Sequence, residues 1–203
     1  MSTFARRLRS LGKLALTDPK AIPAAICGVD HYFVYRADPR TISVAPPPAE
    51  IEVRKLTDEE LRGVADDADF GFSARKLDVI RNTAYGLRVR GELAHIAWLI
   101  DAEQDRAQSV RNARLRDGER EITHCVTSGK FRGRGLYPLA IAHLCGEATR
   151  QGARQVIMIT GCHNIASQRG IEKAGLRPCG TVVRLFLRIR PHVAITWRGR
   201  RWR

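Results

Sequence analysis

The sequence predicts a mixed α/β domain, and three observations carry that prediction. Several short segments alternate apolar and polar residues with a period of two. Two longer apolar-periodic stretches follow strands closely and begin and end on helix-capping residues. Taken in order, the segments run strand, helix, strands, helix, strand, helix, strands, the order of an α/β fold with a mixed sheet.

Each element follows from local chemistry. "HYFVYRA" (31–37) and "IEVRKL" (51–56) read as strands, separated by "APPPAE" (45–50), a proline connector. Thr57 opens "TDEEL", a capping box that starts a helix. The polar stretch over 67–83 reads as helix and loop. "YGLRVRG" and "ELAHIAWLID" read as two strands joined at Gly91-Glu92 in a hairpin. "EREITHCVTS" (119–128) is a further strand. The stretch from Gly135 to Ala153 is a helix, with Pro138 tolerated in its first turn and Gly152 as its stop. "RQVIMITGC" is apolar on both faces and reads as a buried strand. Asn164 is the N-cap of the next helix, which Gly175 ends. "GTVVRLFLRIR" and "HVAITW" close the set as strands, with Val183, Leu185, Leu187 and Ile189 on one face of the first.

The chain has 203 residues, enough for one domain with a sizeable core, and 44% of them are hydrophobic. No apolar run approaches the roughly 20 residues that span a bilayer. The five cysteines are widely spaced and form no Cys-x-x-Cys pair, which argues for a reducing compartment and against a zinc site or a disulfide framework. A signal peptide would need a longer apolar core behind the N-terminal arginines, so a cytoplasmic location is expected, with room for peripheral membrane contact. Residues 4–16 have the pattern of a short basic amphipathic helix. The expected organisation is an N-terminal extension over 1–50, a main domain over 51–197 and a basic tail over 198–203. A formal charge of +14 favours acidic partners: a nucleotide cofactor, a sugar nucleotide, an acyl carrier protein, nucleic acid or an anionic membrane.

The turn "KFRGRGLY" (130–137) is where chemistry concentrates. Its glycines let the backbone turn sharply and approach a ligand with no side chain in the way. The helix behind it offers unpaired N–H groups and the positive end of its dipole, which together cradle phosphate oxygens. Lys130, Arg132 and Arg134 add positive charge. By itself the turn also admits a solvated basic loop or an arginine-glycine nucleic-acid tract. It lacks the Gly-Lys-Ser/Thr of a P-loop, and no G-x-G-x-x-G opens a βαβ unit.

"KFRGRGLYPLAIAHL" followed after a strand by "NIASQRGIEKAGL" resembles the two signature segments of the GNAT N-acetyltransferase superfamily. Lys130 through Gly135 match its Q/R-x-x-G-x-G/A motif except for the lysine in first place. The later segment ends in Lys173, Gly175 and Leu176 where the family has Lys-x-Gly-Phe. The resemblance covers residues 51–190. It implies a mostly antiparallel sheet with one splayed parallel pair, the strands ending near Ser128 and Cys162, and helices on either side. It implies acetyl-CoA, or another acyl-CoA, as co-substrate and no metal. Pantetheine would enter the splay and bond the backbone of Cys125, Val126 and Thr127. The pyrophosphate would rest on the amides of Arg132, Gly133, Arg134, Gly135, Leu136 and Tyr137, beside Lys130 and Phe131. Asn164 and Ser167 would flank the thioester end and the cofactor arm.

The catalytic candidates are Glu121, His124 and His163. Glu121 lies where the resemblance places the glutamate of histone acetyltransferases, and partial burial would raise its pKa toward a useful value. Strand alternation puts His124 on the face opposite Glu121. His163 and Cys162 sit where a strand meets Asn164, although the family transfers directly rather than through a cysteine. A backbone N–H near Val126 would stabilise the oxyanion. The family's tyrosine in the second helix, the acid toward the thiolate, falls on Ile171 here.

The leading expectation is an N-acyltransferase moving an acetyl or similar group from CoA to a small-molecule primary amine, an amino sugar or sugar nucleotide by its resemblance to polysaccharide-locus members, acting as monomer or homodimer. Two alternatives stand beside it. One is a long-chain N-acyltransferase fed by an acyl carrier protein. The other is a non-catalytic basic module binding a membrane surface or, less in keeping with the motifs, nucleic acid.

Overall fold

A computed structural model describes residues 27–65, 69–70, 83–107, 115–187 and 194–198. The helix expected over 4–16, most of the 67–83 stretch, Arg188, Ile189 and Arg190, and residues 199–203 lie outside the described residues.

The elements are β1 (Cys27–Ala37), β2 (Ile51–Lys55), α1 (Asp58–Ala65), β3 (Ala84–Val89), β4 (Glu92–Ile100), α2 (Ala102–Ala107), β5 (Glu119–Thr127), α3 (Leu136–Arg150), β6 (Gln155–Gly161), α4 (Ile165–Lys173), β7 (Arg177–Leu187) and β8 (Ala194–Arg198). The eight strands form one sheet in the order β2-β3-β4-β5-β6-β1-β7-β8. Every pairing is antiparallel except that of β5 with β6. The mixed α/β class is as the element order predicts, and the mostly antiparallel sheet with one parallel pair is as the resemblance implies.

The boundary expected after residue 50 does not hold for β1. This strand lies inside the sheet, paired with β6 over Tyr32–Ala37 and with β7 over Cys27–Arg36. The reason is in its residues. Val34 and Tyr35 are buried on opposite faces, and a strand apolar on both faces needs neighbours on both edges and cover on both sides. The prolines are therefore a crossover from the sheet interior to its β2 edge, not a linker between units. Along the way Ile42 joins the core under α3, and Val44 packs over Gly146.

Three local signals are realised. Thr57 Oγ1 accepts from the Glu60 amide at 3.3 Å and Glu60 accepts from the Thr57 amide at 2.9 Å, a reciprocal capping box at the start of α1. The hairpin between β3 and β4 turns on Arg90 and Gly91, with φ of 51° and 82°, one residue earlier than expected. Two left-handed residues make a turn whose twist matches the strands it joins. Gly152 and Gly175, both at positive φ, end α3 and α4.

Two irregularities shape the region that matters. The first is the splay: β5 and β6 pair only over Glu119↔Gln155, Arg120↔Val156 and Glu121↔Ile157, and beyond Glu121 they part. The second is a bulge in β5. Trp98 faces Thr123 and Ile96 faces Val126, so His124 and Cys125 together oppose Ala97, with His124 at φ 50°. Each face of the sheet has its own core. Trp98, Ile100 and Ile157 pack with Leu61 and Val64 of α1 on one side, and Ile122, Val156 and Met158 pack with Ile141, Leu144 and Ile171 of α3 and α4 on the other.

A candidate acyl-carrier site at the start of α3

The turn after β5 is pinned from below. Phe131 and Leu136 are buried with Leu87, Ala94 and Ala140, each contributing about 1.5–3 kcal/mol of burial, so the backbone between them is held while its polar groups face out. Gly133 and Gly135 take φ of 78° and 74°, which side-chain-bearing residues rarely adopt, and a Cβ at either would meet open space. Gly135 is the N-cap of α3, and no side chain caps this helix. None of the described residues accepts from the amides of Gly133, Arg134, Gly135, Leu136 or Tyr137. α4 is the contrast: Asn164 Oδ1 accepts from the Ser167 amide at 3.1 Å, so that helix start is closed by the protein itself. An uncapped 15-residue helix with several bare amides is a ready anion site.

Those amides open onto a cavity of about 720 Å³. Cys125, Val126 and Thr127 line it from β5, at the strand edge that the splay exposes. Phe131, Arg132, Gly133, Gly135, Leu136 and Tyr137 line it from the turn and α3, and Asn164 and Ser167 from α4. Thus most of the residues expected around the cofactor meet at one concavity. Two do not line it. Lys130 forms an ion pair with Glu92 and lies over the Phe131 ring, and Arg134 lies over the same ring at 5.2 Å. The Phe131 ring holds both cations, and Glu92 holds Lys130 as well. The positive charge at the cavity comes from Arg132, Arg169 and Lys173 instead. Lys173 is the lysine of the second signature segment, though not one of the residues expected around the cofactor, and Arg169 is at no motif position; Ala166, Arg169, Gly170 and Lys173 recur at helical spacing on the face toward α3, a periodicity legible in the sequence.

The backbone is less free than expected at two points. The Arg132 amide bonds Gly129 O at 3.4 Å, so the open run begins at Gly133. Arg132 Nε donates to Thr127 O at 3.2 Å, which occupies a carbonyl expected to meet pantetheine. Thr127 Oγ1 also holds His95 Nδ1 at 2.7 Å, and burial presses this imidazole's pKa down to about 4. Tyr137 runs between α3 and α4, its hydroxyl 3.0 Å from Ser167 Oγ, and burial raises its pKa. Cys125 behaves likewise: burial, then the charge of Glu121, pushes its thiol up to about 12, which keeps the sulfur protonated and inert.

The catalytic candidates divide. Glu121 is buried at the last paired rung before the splay and lines neither this cavity nor a second one beyond β6. His124 does not lie opposite Glu121. Its ring stands edge-on to Trp98 at 5.9 Å, on the side that also carries Glu121 through its pairing with Ile100 and Ile157. The bulge adds a residue and breaks strict alternation, so His124 shares that face while Cys125 turns to the other. His163 is exposed and lines the second cavity, where it meets Asn164. Cys162 lines neither. Ile171 is fully buried in the α3–α4 core, so no acid acts from that position. Among the described residues no cluster of metal-ligating side chains occurs, and no helix is long and apolar enough to cross a membrane.

No family model matches the chain, and no curated protein matches it in sequence. Solved structures match its fold. A GCN5-related N-acetyltransferase from Kribbella flavida is 16% identical, with a TM-score of 0.56, over 84% of this chain and 63% of that one. A GNAT-family acetyltransferase from Colwellia psychrerythraea is 18% identical, with a TM-score of 0.59, over 84% and 61%. A glucosamine N-acetyltransferase region of a fungal multi-domain β-N-acetylglucosaminidase is 11% identical, with a TM-score of 0.57, over 92% of this chain and 22% of that one. The chain thus spans about three fifths of the length of the two bacterial acetyltransferases. The split between β5 and β6, the uncapped start of α3 beside it and these matches together give the chain the fold of the GCN5-related N-acetyltransferases.

Proposed function

We propose that this chain is an acyl-CoA-dependent N-acyltransferase of the GNAT superfamily that moves an acetyl group directly to the primary amine of a small molecule, an amino sugar in the first instance. The observation that carries the reading is the run of bare amides from Gly133 to Tyr137 at an uncapped helix start, opening onto a cavity that reaches the splay. A diphosphate fits that run by charge and by hydrogen-bonding capacity, and Arg132, Arg169 and Lys173 would neutralise it. The edge of β5 beyond Glu121 has no strand partner on the β6 side and suits the amides of a pantetheine arm. Bound acetyl-CoA would supply an activated acyl carbon. The chain's share is to hold it, orient it against Val126 and keep Cys125 from competing as a nucleophile. The fungal glucosamine N-acetyltransferase region of the same fold supports the amino-sugar acceptor.

On this reading the working unit includes β1, and the reaction takes place in the cytoplasm, where acyl-CoA is made. An acyl carrier protein as donor would present one phosphate rather than a diphosphate, so competition by free CoA separates the two donors. Calorimetry with acetyl-CoA tests the site. Gly133→Glu puts a carboxylate where the diphosphate lies and should abolish binding in a protein with unchanged circular dichroism. Wild-type affinity in that folded variant removes the assignment.

A further inference from the structure

A second cavity, of about 570 Å³, lies beyond the C-terminal end of β6, and Asn164 lines both cavities. Its walls are Val29 to Tyr32 of β1 on one side and Gly161 and His163 on the other. β1 reaches this place only because it fills the slot between β6 and β7. Tyr32 and Val34 belong to the Trp98 side of the sheet, so by alternation Asp30 faces the same side, as do Glu121 and His124. The α3 and α4 side carries the first cavity's helices. Val29 and His31 of the same wall alternate to that other side, so the second cavity straddles the end of the sheet, and the two concavities adjoin at Asn164.

Asp30 is the distinctive group there. In a chain with 35 basic and 21 acidic residues, it sets a carboxylate in a concave wall. Tyr32 donates to its Oδ2 at 3.0 Å, and Arg184 Nη2 lies 3.3 Å from the same oxygen. Both contacts fix the carboxylate through Oδ2, and among the described residues nothing donates a hydrogen bond to Oδ1. The turn that carries His163 is also held, because Gln168 Nε2 donates to Cys162 O at 2.9 Å and to Gly161 O at 3.2 Å. Asn164 Oδ1 is committed to its cap, which leaves its NH₂ to meet a ligand.

We infer that the second cavity is the acceptor site, and that it takes a primary ammonium on a hydroxylated frame, that is, an amino sugar, with Asp30 Oδ1 gripping the ammonium and His163 receiving its proton. The inference rests on the proposed transferase reading and adds to it the place, the anchor and the base. The carboxylate selects a cation, while Tyr32, Asn164 and His163 offer partners to hydroxyl groups. The volume is within the range of small-molecule sites. The ammonium gives one proton to the His163 imidazole, and the freed nitrogen lone pair forms the C–N bond to the thioester carbonyl carbon. The C–S bond breaks, its electron pair stays on sulfur, and the second proton lost by nitrogen ends on that sulfur. His163, exposed at the mouth, returns its proton to water.

The test is proton NMR of the full chain without cofactor, following the imidazole signal that His163→Gln removes. Titration with D-glucosamine should move it saturably, and D-glucose, which lacks the ammonium, should bind at least tenfold more weakly. Asp30→Asn should weaken glucosamine at least tenfold while keeping acetyl-CoA affinity, which also shows that it folds. In turnover, the same variant should raise KM for glucosamine and leave KM for acetyl-CoA unchanged. No saturable movement in the wild type, or equal response to both sugars, overturns the inference without recourse to any variant. Loss of the wild-type acetyl-CoA isotherm would strike the transferase reading instead and leave this cofactor-free titration readable.

Discussion

Gly170→Ala sets two effects of known sign against each other. Gly170 lies in α4, where replacing glycine by alanine should stabilise a helix by about 1 kcal/mol. A Cβ there would stand 2.4 Å from Tyr137 Cδ1 and 2.7 Å from Cε1, against the roughly 3.5–4.0 Å of a relaxed carbon contact. The obstacle is an aromatic ring, not the loose end of a flexible chain, and it is tied at its far end to Ser167. Relief requires the ring to swing, at an overpacking cost of about 1–3 kcal/mol, and to give up a hydrogen bond worth about 1 kcal/mol. The losses exceed the gain, so net destabilisation of about 1–3 kcal/mol is expected. Gly63→Ala is the matched control: it lies in α1, has nothing within 4 Å of its Cβ position, and should stabilise by about 1 kcal/mol. Urea denaturation at constant m-value reads both, and a domain of this size moves about 2–4 °C in Tm per kcal/mol. Should Gly170→Ala stabilise as much as Gly63→Ala, Tyr137 is not wedged between α3 and α4.

Other expectations follow from the same geometry. Arg169→Gln and Lys173→Gln should each weaken acetyl-CoA binding in calorimetry, whereas Lys130→Gln, whose charge is spent on Glu92, should leave it nearly unchanged; the reverse order would contradict the placement of charge around the cavity. His95, with its folded pKa pressed from 6.5 to about 4, binds a proton more readily when unfolded. Stability should therefore hold above about pH 6.5, fall by about 3 kcal/mol as the pH drops toward 4 and level off below that, and His95→Gln should flatten this stretch of the urea-midpoint profile. Thr57→Ala should cost about 1 kcal/mol through loss of the bond to the Glu60 amide, with Thr57→Ser restoring most of it.

The parts of this protein that are local in sequence could be read there. Helix starts at Thr57 and Asn164, helix ends at Gly152 and Gly175, and the glycine-broken turn before α3 each depend on a few neighbouring residues whose conformational preferences act over one or two turns. The motif pair then pointed to the residues that line the first cavity. Three features escaped this logic. The β-bulge at His124 leaves no mark in an alternating run, because the extra residue is accommodated by the partner strand's register rather than by any residue signal. The charges of Lys130 and Arg134 look like those of Arg132, but Phe131 and Glu92 draw them away from the cavity. And the prolines that suggested a break between units turned out to bridge two strands of one sheet.

Sequence alone determined which segments form strands and helices and which turn leads into a helix without a side-chain cap, since caps, glycine conformations and apolar periods are short-range properties of the chain. Only the tertiary structure decided which strand fills the slot beside β6. That choice depends on pairing between residues more than a hundred positions apart, and it is what carries Asp30 to the wall of the second cavity.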